Sequence, residues 1–312
     1  YDGFSFDGKV KLYNPFSVLS FFNTGTFINF WMASGSDTFI RTFLKDKELT
    51  ADQFQGMEVD VQFASNPGEI DVTPPEGFLY QAGYLTLRTK SDTLFTMDYP
   101  NREVRESISK LFLENLNSDW NGIGKSGREL AGHLASGDVP GMTGIFRRLF
   151  AGIHYGDHLD ANRAPQPAVL QKAAGNAAGA ELPDAPQREL SETYADKLSR
   201  KKGESWYRSL LQSCLWTAGA KVTPEKPENK GRLDLEVVFG RMTYVIELKV
   251  SDDARGAAAA VRAGMDQIHE REYGRATENP ILVSLAVGRA ERNIVGCLYE
   301  RDGQETAVEV DF

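Results

Sequence analysis

Asp234, Glu247 and Lys249 have the residue types and spacing that phosphodiester hydrolysis needs, and all three lie in residues 231–250, GRLDLEVVFGRMTYVIELKV. Leu233–Phe239 and Thr243–Val250 read as two β-strands, rich in Val, Ile, Leu, Tyr and Phe, that meet at a Gly-containing turn. A two-residue turn at Gly240-Arg241 sets Asp234 directly across from Glu247. Such neighbours hold their Cβ atoms about 4.5–5.5 Å apart on one face, and Lys249, two residues past Glu247, shares that face. Two carboxylates this close repel unless a cation or a proton lies between them. The group therefore reads as a metal site with a cation beside it. A one-residue slip of register would turn Asp234 to the opposite face and dissolve it.

Asp234 and Glu247 offer hard oxygen ligands suited to Mg²⁺ or Mn²⁺, and the Leu248 carbonyl between Glu247 and Lys249 is a candidate third ligand. An ion there would polarise a phosphoryl oxygen, stabilise developing charge and acidify a bound water. Lys249 would orient or help deprotonate that water and offset charge on the pentavalent state. Glu204, on the preceding helix, would join through a metal-bound water, and Gln267, on the following helix, would hydrogen-bond the nucleophile or a phosphate. Taken singly, each residue is more often an ordinary surface charge. What argues otherwise is that Tyr244–Val250 is apolar apart from Glu247 and Lys249, as an interior strand is, and unpaired charges there cost several kcal/mol.

The elements that must carry these residues follow in order. Glu204–Trp216 reads as a helix burying Trp206, Leu210, Leu211, Cys214 and Leu215, followed by a short strand from Val222 and a Pro224–Lys230 turn. After the hairpin, Asp252 or Asp253 caps an Ala-rich helix from Ala254 to about Tyr273. Ile281–Val287 and Asn293–Tyr299 are strands, and Thr306–Phe312 is an edge strand. This order describes a mixed sheet flanked by helices.

Upstream, Asn14-Pro15 opens a helix through Phe22, a second runs from Ser36 or Asp37 through Phe43, and Thr50 with Gln53 predicts a short third helix. Met57–Phe63 alternates as a strand, and Pro74–Ala82 is a short helix closed by Gly83. Tyr84–Lys90 and Leu94–Tyr99 form a hairpin, and Asn101 caps a helix to Leu116. That is the element order of a winged helix. The expected reading helix, Pro75 to Ala82, contains no Lys or Arg, so it suits packing against a neighbouring domain better than DNA. Residues 117–156 look helical, with Ile145, Leu149 and Phe150 as an apolar stripe. Gly122-Ile-Gly-Lys-Ser126 lacks the Gly at 119 and the preceding strand of a phosphate loop, and reads as an ordinary loop. His154 and His158 flank Gly156-Asp157 with no third ligand nearby, and read as solvated. Residues 159–190, rich in Ala, Pro, Gly, Gln and Asn, read as a linker.

Length and charge bound the rest. The 312 residues suffice for two or three domains, and a net charge of −9 argues against nucleic-acid binding by bulk charge, though not against a local basic groove. Cys214 and Cys297 are expected to be buried free thiols in a reducing cytoplasm. The apolar run from Phe16 to Met32 is broken by Asn23, Thr24 and Gly25, so no membrane span or signal peptide is expected. A chain beginning at Tyr1 is expected to be a piece of a longer protein.

Gly231-Arg-Leu-Asp234 followed by Glu247-Leu-Lys249 resembles the PD-(D/E)XK nuclease superfamily, with Glu204 and Gln267 at auxiliary positions often seen there. More narrowly, the chain looks like the C-terminal part of bacterial proteins that join an AAA-ATPase-like region to such a nuclease. Tyr13-Asn-Pro-Phe-Ser-Val-Leu, Phe78-Leu-Tyr-Gln-Ala-Gly-Tyr-Leu-Thr-Leu, Asp98-Tyr-Pro-Asn-Arg-Glu-Val-Arg and Gln267-Ile-His-Glu-Arg-Glu-Tyr carry this likeness. It covers most of the chain outside roughly 156–199. The resemblance implies an α/β (α+β) protein with a winged-helix-like α+β domain over 1–116 and a helical connector with its linker over 117–200. A restriction-endonuclease-like mixed sheet flanked by helices would occupy 201–312. It further implies a cytoplasmic nuclease using Mg²⁺ or Mn²⁺ held by Asp234 and Glu247, with Lys249 in catalysis and DNA as substrate. The ATPase core would precede Tyr1 and be a partner, leaving no ATPase activity in these residues. Two rivals stand beside this reading. One is a non-catalytic binding or regulatory module on a nuclease scaffold; the other is a DNA binder using Arg88 and Lys90 on the wing.

Overall fold

In the computed structural model, which describes residues 2–30, 37–60, 75–91, 94–117, 122–155, 193–203, 205–228 and 231–310, the C-terminal sheet is built around the expected hairpin. Six strands lie in the order β4-β5-β6-β7-β8-β9: Lys221–Glu228, Gly231–Phe239, Met242–Ser251, Ile281–Gly288, Asn293–Arg301 and Gln304–Val308. Only β6 and β7 pair in parallel, and the helix α9 (Ala257–Arg271) makes their crossover. This α/β architecture, a mixed sheet flanked by helices, is consistent with a restriction-endonuclease-like fold.

Both faces of the sheet are covered, which is why β6 and β7 read as near-continuous apolar runs. On one side Val261, Met265 and Ile268 of α9 pack with Leu233, Val245, Ala286 and Leu298. On the other, Leu235, Val237, Tyr244, Ile246, Val283 and Leu285 join the larger core, and the Tyr244 hydroxyl donates to the Leu134 carbonyl at 2.6 Å. Leu134 belongs to α5 (Ile123–Ser136), which packs with α6 (Val139–Ala151) and with α8 (Ser205–Thr217). Helix α8 is buried almost all round, with both Trp206 and Trp216 inaccessible to solvent. An apolar surface on every side marks a helix that belongs inside a fold.

The N-terminal region holds α1 (Pro15–Thr24), α2 (Asp37–Asp46), β1 (Met57–Asp60), α3 (Pro75–Gln81), β2 (Thr86–Thr89), β3 (Leu94–Asp98) and α4 (Arg102–Leu116). Its strands form a three-stranded sheet in the order β1-β3-β2. The caps stand where they were expected: Asn14 accepts from the Ser17 amide and Asn101 from the Val104 amide, each at 3.0 Å. Helix α3 packs ring to ring on α2, with Phe78 centred 4.8 Å from Phe43. Arg88 on β2 and Lys90 just beyond it are paired with Asp98 and Glu58, respectively.

Several expectations are corrected. Residues 51–56 are a run of turns and not a helix; the Gln53 side chain accepts from the Thr50 amide at 3.1 Å, but the Thr50 hydroxyl makes no reciprocal bond among the described residues. Gly122–Ser126 is not a loop but the opening of α5. The Pro224–Lys230 turn is strand as far as Glu228, because β4 lies at the sheet edge, where a missing proline N–H costs no ladder bond. A 3₁₀ turn, Ala254–Gly256, precedes α9, and Glu272 in the left-handed region (φ 55°) ends the helix before Tyr273. A helix that was not foreseen, α7 (Tyr194–Lys202), starts at a capping box made by Thr193 and Asp196. His158 and the 159–190 linker lie outside the described residues.

Candidate active site

The β5–β6 hairpin has the predicted register. Phe239 pairs with Met242 and Leu235 with Ile246, and Gly240, at φ 59°, stands at the first central turn position, where positive φ suits glycine. One step further along, the regular ladder stops at Asp234. Its Oδ2 accepts the Leu248 main-chain N–H at 2.9 Å. The β4–β5 ladder breaks at the same place, passing from Pro224–Leu235 to Lys226–Leu233 and skipping Glu225 and Asp234. Glu225 takes φ 47° there. Leu233 packs under α9 and Leu235 in the opposite core, so β5 turns over at Asp234. The carboxylate sits at an irregularity flanked by two regular ladders.

Glu247 is only 3% exposed. Its Oε1 accepts from Lys249 Nζ at 3.0 Å and from the Gln267 side-chain amide, and Lys249 Nζ also donates to Gln267 Oε1 at 2.6 Å. A glutamine carries both a donor and an acceptor, so one side chain satisfies both partners. Glu247 Oε2 is buried and has no hydrogen bond of good geometry among the described residues. Burial, and then the charge of Asp234, push the Glu247 carboxyl up to about 7, against the downward pull of Lys249 and of the Asp234 main-chain N–H. Gln267 reaches the strands because α9 comes down close on the sheet. At Gly264, one helical turn earlier, a Cβ would meet the Ser284 hydroxyl and lie 3.3 Å from Lys249 Cγ. Ser284 is the β7 partner of Glu247, and its buried hydroxyl has no hydrogen-bond partner among the described residues either.

The structure thus brings together Asp234, Glu247, Leu248, Lys249 and Gln267. Glu204 lies outside the described residues. Leu248 turns its N–H toward Asp234, and since the N–H and C=O of an extended residue point to the same edge, its carbonyl faces that side as well. Sequence reasoning missed Arg208, on α8, whose Nη1 lies 3.7 Å from Asp234 Oδ1 and whose Nη2 lies 2.9 Å from Glu225 Oε1. Its spacing of four from Glu204, one helical turn, was the available signal.

Hard oxygen donors with one buried carboxylate oxygen unsatisfied fit a divalent cation such as Mg²⁺ or Mn²⁺. Elsewhere, His269, Glu300 and Glu305 bring ligand atoms within 4.8 Å of one another. There, His269 lies 2.9 Å from Glu300 and Arg262 holds both Glu305 oxygens at 2.9 and 2.8 Å, so the Glu305 carboxylate is already engaged by a cation. Cys214 and Cys297 are buried and free, with both thiols pushed up by burial. No helix among the described residues is long and apolar enough to cross a membrane.

Residues 202–294 match the family model described as the PD-(D/E)XK nuclease superfamily, and that stretch contains every residue of the site. Over 309 residues the chain is 25% identical to "Uncharacterized protein in vnfD 5'region" of Azotobacter chroococcum mcd 1, covering 97% of this chain and 52% of the relative. It therefore spans about half the length of that relative. No solved structure matches.

Proposed function

We propose, starting from the PD-(D/E)XK nuclease superfamily domain at residues 202–294, that the chain hydrolyses phosphodiester bonds of DNA with Mg²⁺ or Mn²⁺. One observation carries the reading. Glu247 is buried with Oε2 lacking a well-formed hydrogen bond among the described residues, and beside it Asp234 Oδ1 faces only the Arg208 guanidinium at 3.7 Å there, so two carboxylate oxygens can turn to a cation. Asp234 and Glu247 would hold the ion, joined by the Leu248 carbonyl, and by Glu204 through water. A divalent ion there supplies Lewis-acid polarisation of the phosphoryl oxygen and acidifies water beside it.

The chain's own groups do the rest. Lys249, pinned by Glu247 and Gln267, holds a positive charge at a fixed point beside the carboxylates. From there it orients the attacking water and offsets charge gathering on the phosphoryl oxygens. Gln267 fixes the Lys249 ammonium and the Glu247 carboxylate relative to each other, so neither must reorganise during the reaction. In a longer parent protein, an ATPase-like core upstream of Tyr1 would be the partner of this nuclease. That part of the proposal rests on the resemblance of the N-terminal segments.

The test is cleavage of linear, circular and single-stranded DNA with Mg²⁺ or Mn²⁺, comparing the wild type with Asp234→Ala and Lys249→Ala. Loss of cleavage in both variants is expected. Equal activity in all three proteins would sink the assignment.

A further inference from the structure

Each carboxylate of the site has one oxygen engaged. Asp234 Oδ2 holds the Leu248 amide and Glu247 Oε1 holds Lys249 and Gln267. The oxygens left for a metal are Glu247 Oε2, which has no hydrogen bond of good geometry among the described residues, and Asp234 Oδ1. The group beside Asp234 Oδ1 is the Arg208 guanidinium, 3.7 Å away, close enough for an ion pair and too far for a hydrogen bond. A dication entering at Oδ1 therefore meets a fixed positive charge on its own ligand.

Arg208 has a second hold. Its Nη2 lies 2.9 Å from Glu225 Oε1, within hydrogen-bonding distance, on the strand next to β5. Glu225 is where the β4–β5 ladder is interrupted, at the position that skips Asp234, and it adopts φ 47°. A non-glycine residue in that region is uncommon and carries a conformational cost. Ladder break, left-handed glutamate and guanidinium meet at one point, beside the Asp234 oxygen that a metal needs.

We propose that Arg208 is the counter-ion of Asp234 before metal enters, and that the Glu225–Arg208 pair sets how tightly the site takes a divalent cation. When the ion occupies Oδ1, the guanidinium withdraws onto Glu225, which keeps it at the rim of the site. Without Glu225, Arg208 has, among the described residues, only Asp234 to pair with and competes harder. Arg208 is thus a positioning residue acting through Asp234. This inference rests on the metal-dependent nuclease reading above.

The experiment is calorimetric titration of Mn²⁺ into the full chain in a double-mutant cycle: wild type, Arg208→Gln, Glu225→Gln and the double variant, with Asp234→Ala as the control and thermal melts to confirm folding. Arg208→Gln is expected to tighten Mn²⁺ binding about tenfold and Glu225→Gln to weaken it several-fold, in the range of ordinary site–site coupling. With Arg208 already replaced, Glu225→Gln is expected to lose most of its effect, because Glu225 acts through Arg208. Wild-type binding that Asp234→Ala abolishes but Arg208→Gln leaves unchanged overturns the inference and spares the metal site. So does strict additivity of the two single changes, which is what two independent surface charges would give. Absence of Mn²⁺ binding by the wild type overturns the metal reading itself, and this inference with it.

Discussion

Gln267 Oε1 accepts from Lys249 Nζ at 2.6 Å while the amide of the same side chain donates to Glu247. A residue on the crossover helix thus sets the distance between an ammonium and a buried carboxylate two positions apart on one strand. Gln267→Ala removes both bonds and leaves Lys249 held by Glu247 alone. Loss of a residue that orients a metal ligand costs about 10- to 100-fold in metal affinity or activity. Cleavage rate and Mn²⁺ affinity should fall together in that range, with the melting temperature little changed. Gln267→Glu keeps the acceptor for Lys249 but sets a carboxylate against Glu247, and should do no better.

Stability should depend on pH through Glu247. Its carboxyl titrates near 7 in the folded protein, above the ordinary carboxylate value of 4.5, so the native state binds this proton more tightly than the unfolded chain does. A raised carboxylate contributes most below the unfolded value, and the contribution is lost as pH rises through about 7. Between those limits the metal-free protein should lose on the order of 3 kcal/mol from this one group. Glu247→Gln removes the titration. Urea melts of wild type and variant from pH 4.5 to 8.5 without metal should therefore converge toward the acid end and part toward the alkaline end, with the wild type the weaker there. Parallel curves would show that Glu247 does not titrate in this window.

Lys249→Met keeps the aliphatic stem that packs against Gly264 and deletes the charge. Removing one preorganised group that stabilises transition-state charge typically costs about 10²–10³-fold in kcat. Single-turnover cleavage should drop by that amount. Mn²⁺ binding, measured by calorimetry, should persist, because the carboxylates remain.

Gly264→Ala tests the close approach of α9 to the sheet. The new methyl would run into the Ser284 hydroxyl and press on Lys249. Overpacking of this kind costs about 1–3 kcal/mol. The helix can relieve it only by lifting Gln267 from Lys249, so activity should fall as well. Ser284→Ala deletes a buried hydroxyl without a hydrogen-bond partner and should be near neutral by itself. Combined with Gly264→Ala, it should recover stability and part of the activity. A double variant no better than Gly264→Ala would rule out this steric account.

The hairpin was legible because its turn length dictates register and register dictates which faces meet. Asp234 and Glu247 were paired on that ground, and the β5–β6 ladder follows it as far as Leu235 and Ile246. What lies beyond was not legible. Turn length does not say that the ladder ends at Asp234, or that its side chain takes the Leu248 amide instead. The second half of strand β4 was hidden by Pro224 and Pro227: a short strand was expected from Val222, but proline predicts a turn until the strand is known to be an edge. With β4 cut short before Glu225, that residue had no place beside the site, and Arg208 had no partner to draw notice. The Thr50 capping box failed for a different reason: one of its two bonds formed, which suffices for a turn but not for a helix. Local pattern gave the elements. The contacts between distant segments gave the site its second layer.

Helix α8 carries Arg208 on its partly exposed side and packs elsewhere against α4, α5 and β4, with further side-chain contacts to the N-terminal region. Ser209 donates to Asp52 at 2.8 Å and the Gln212 amide to Gln55 Oε1 at 2.8 Å, while Trp216 meets the Tyr99 ring edge-on under the Arg105 guanidinium. Excising residues 201–312 as a free-standing enzyme would strip these partners away. It would expose two tryptophans and several leucines that are now inaccessible, a surface more apt to aggregate than to work. Residues 201–312 complete one wall of their core with the rest of the chain, so whatever moves that wall also moves Arg208.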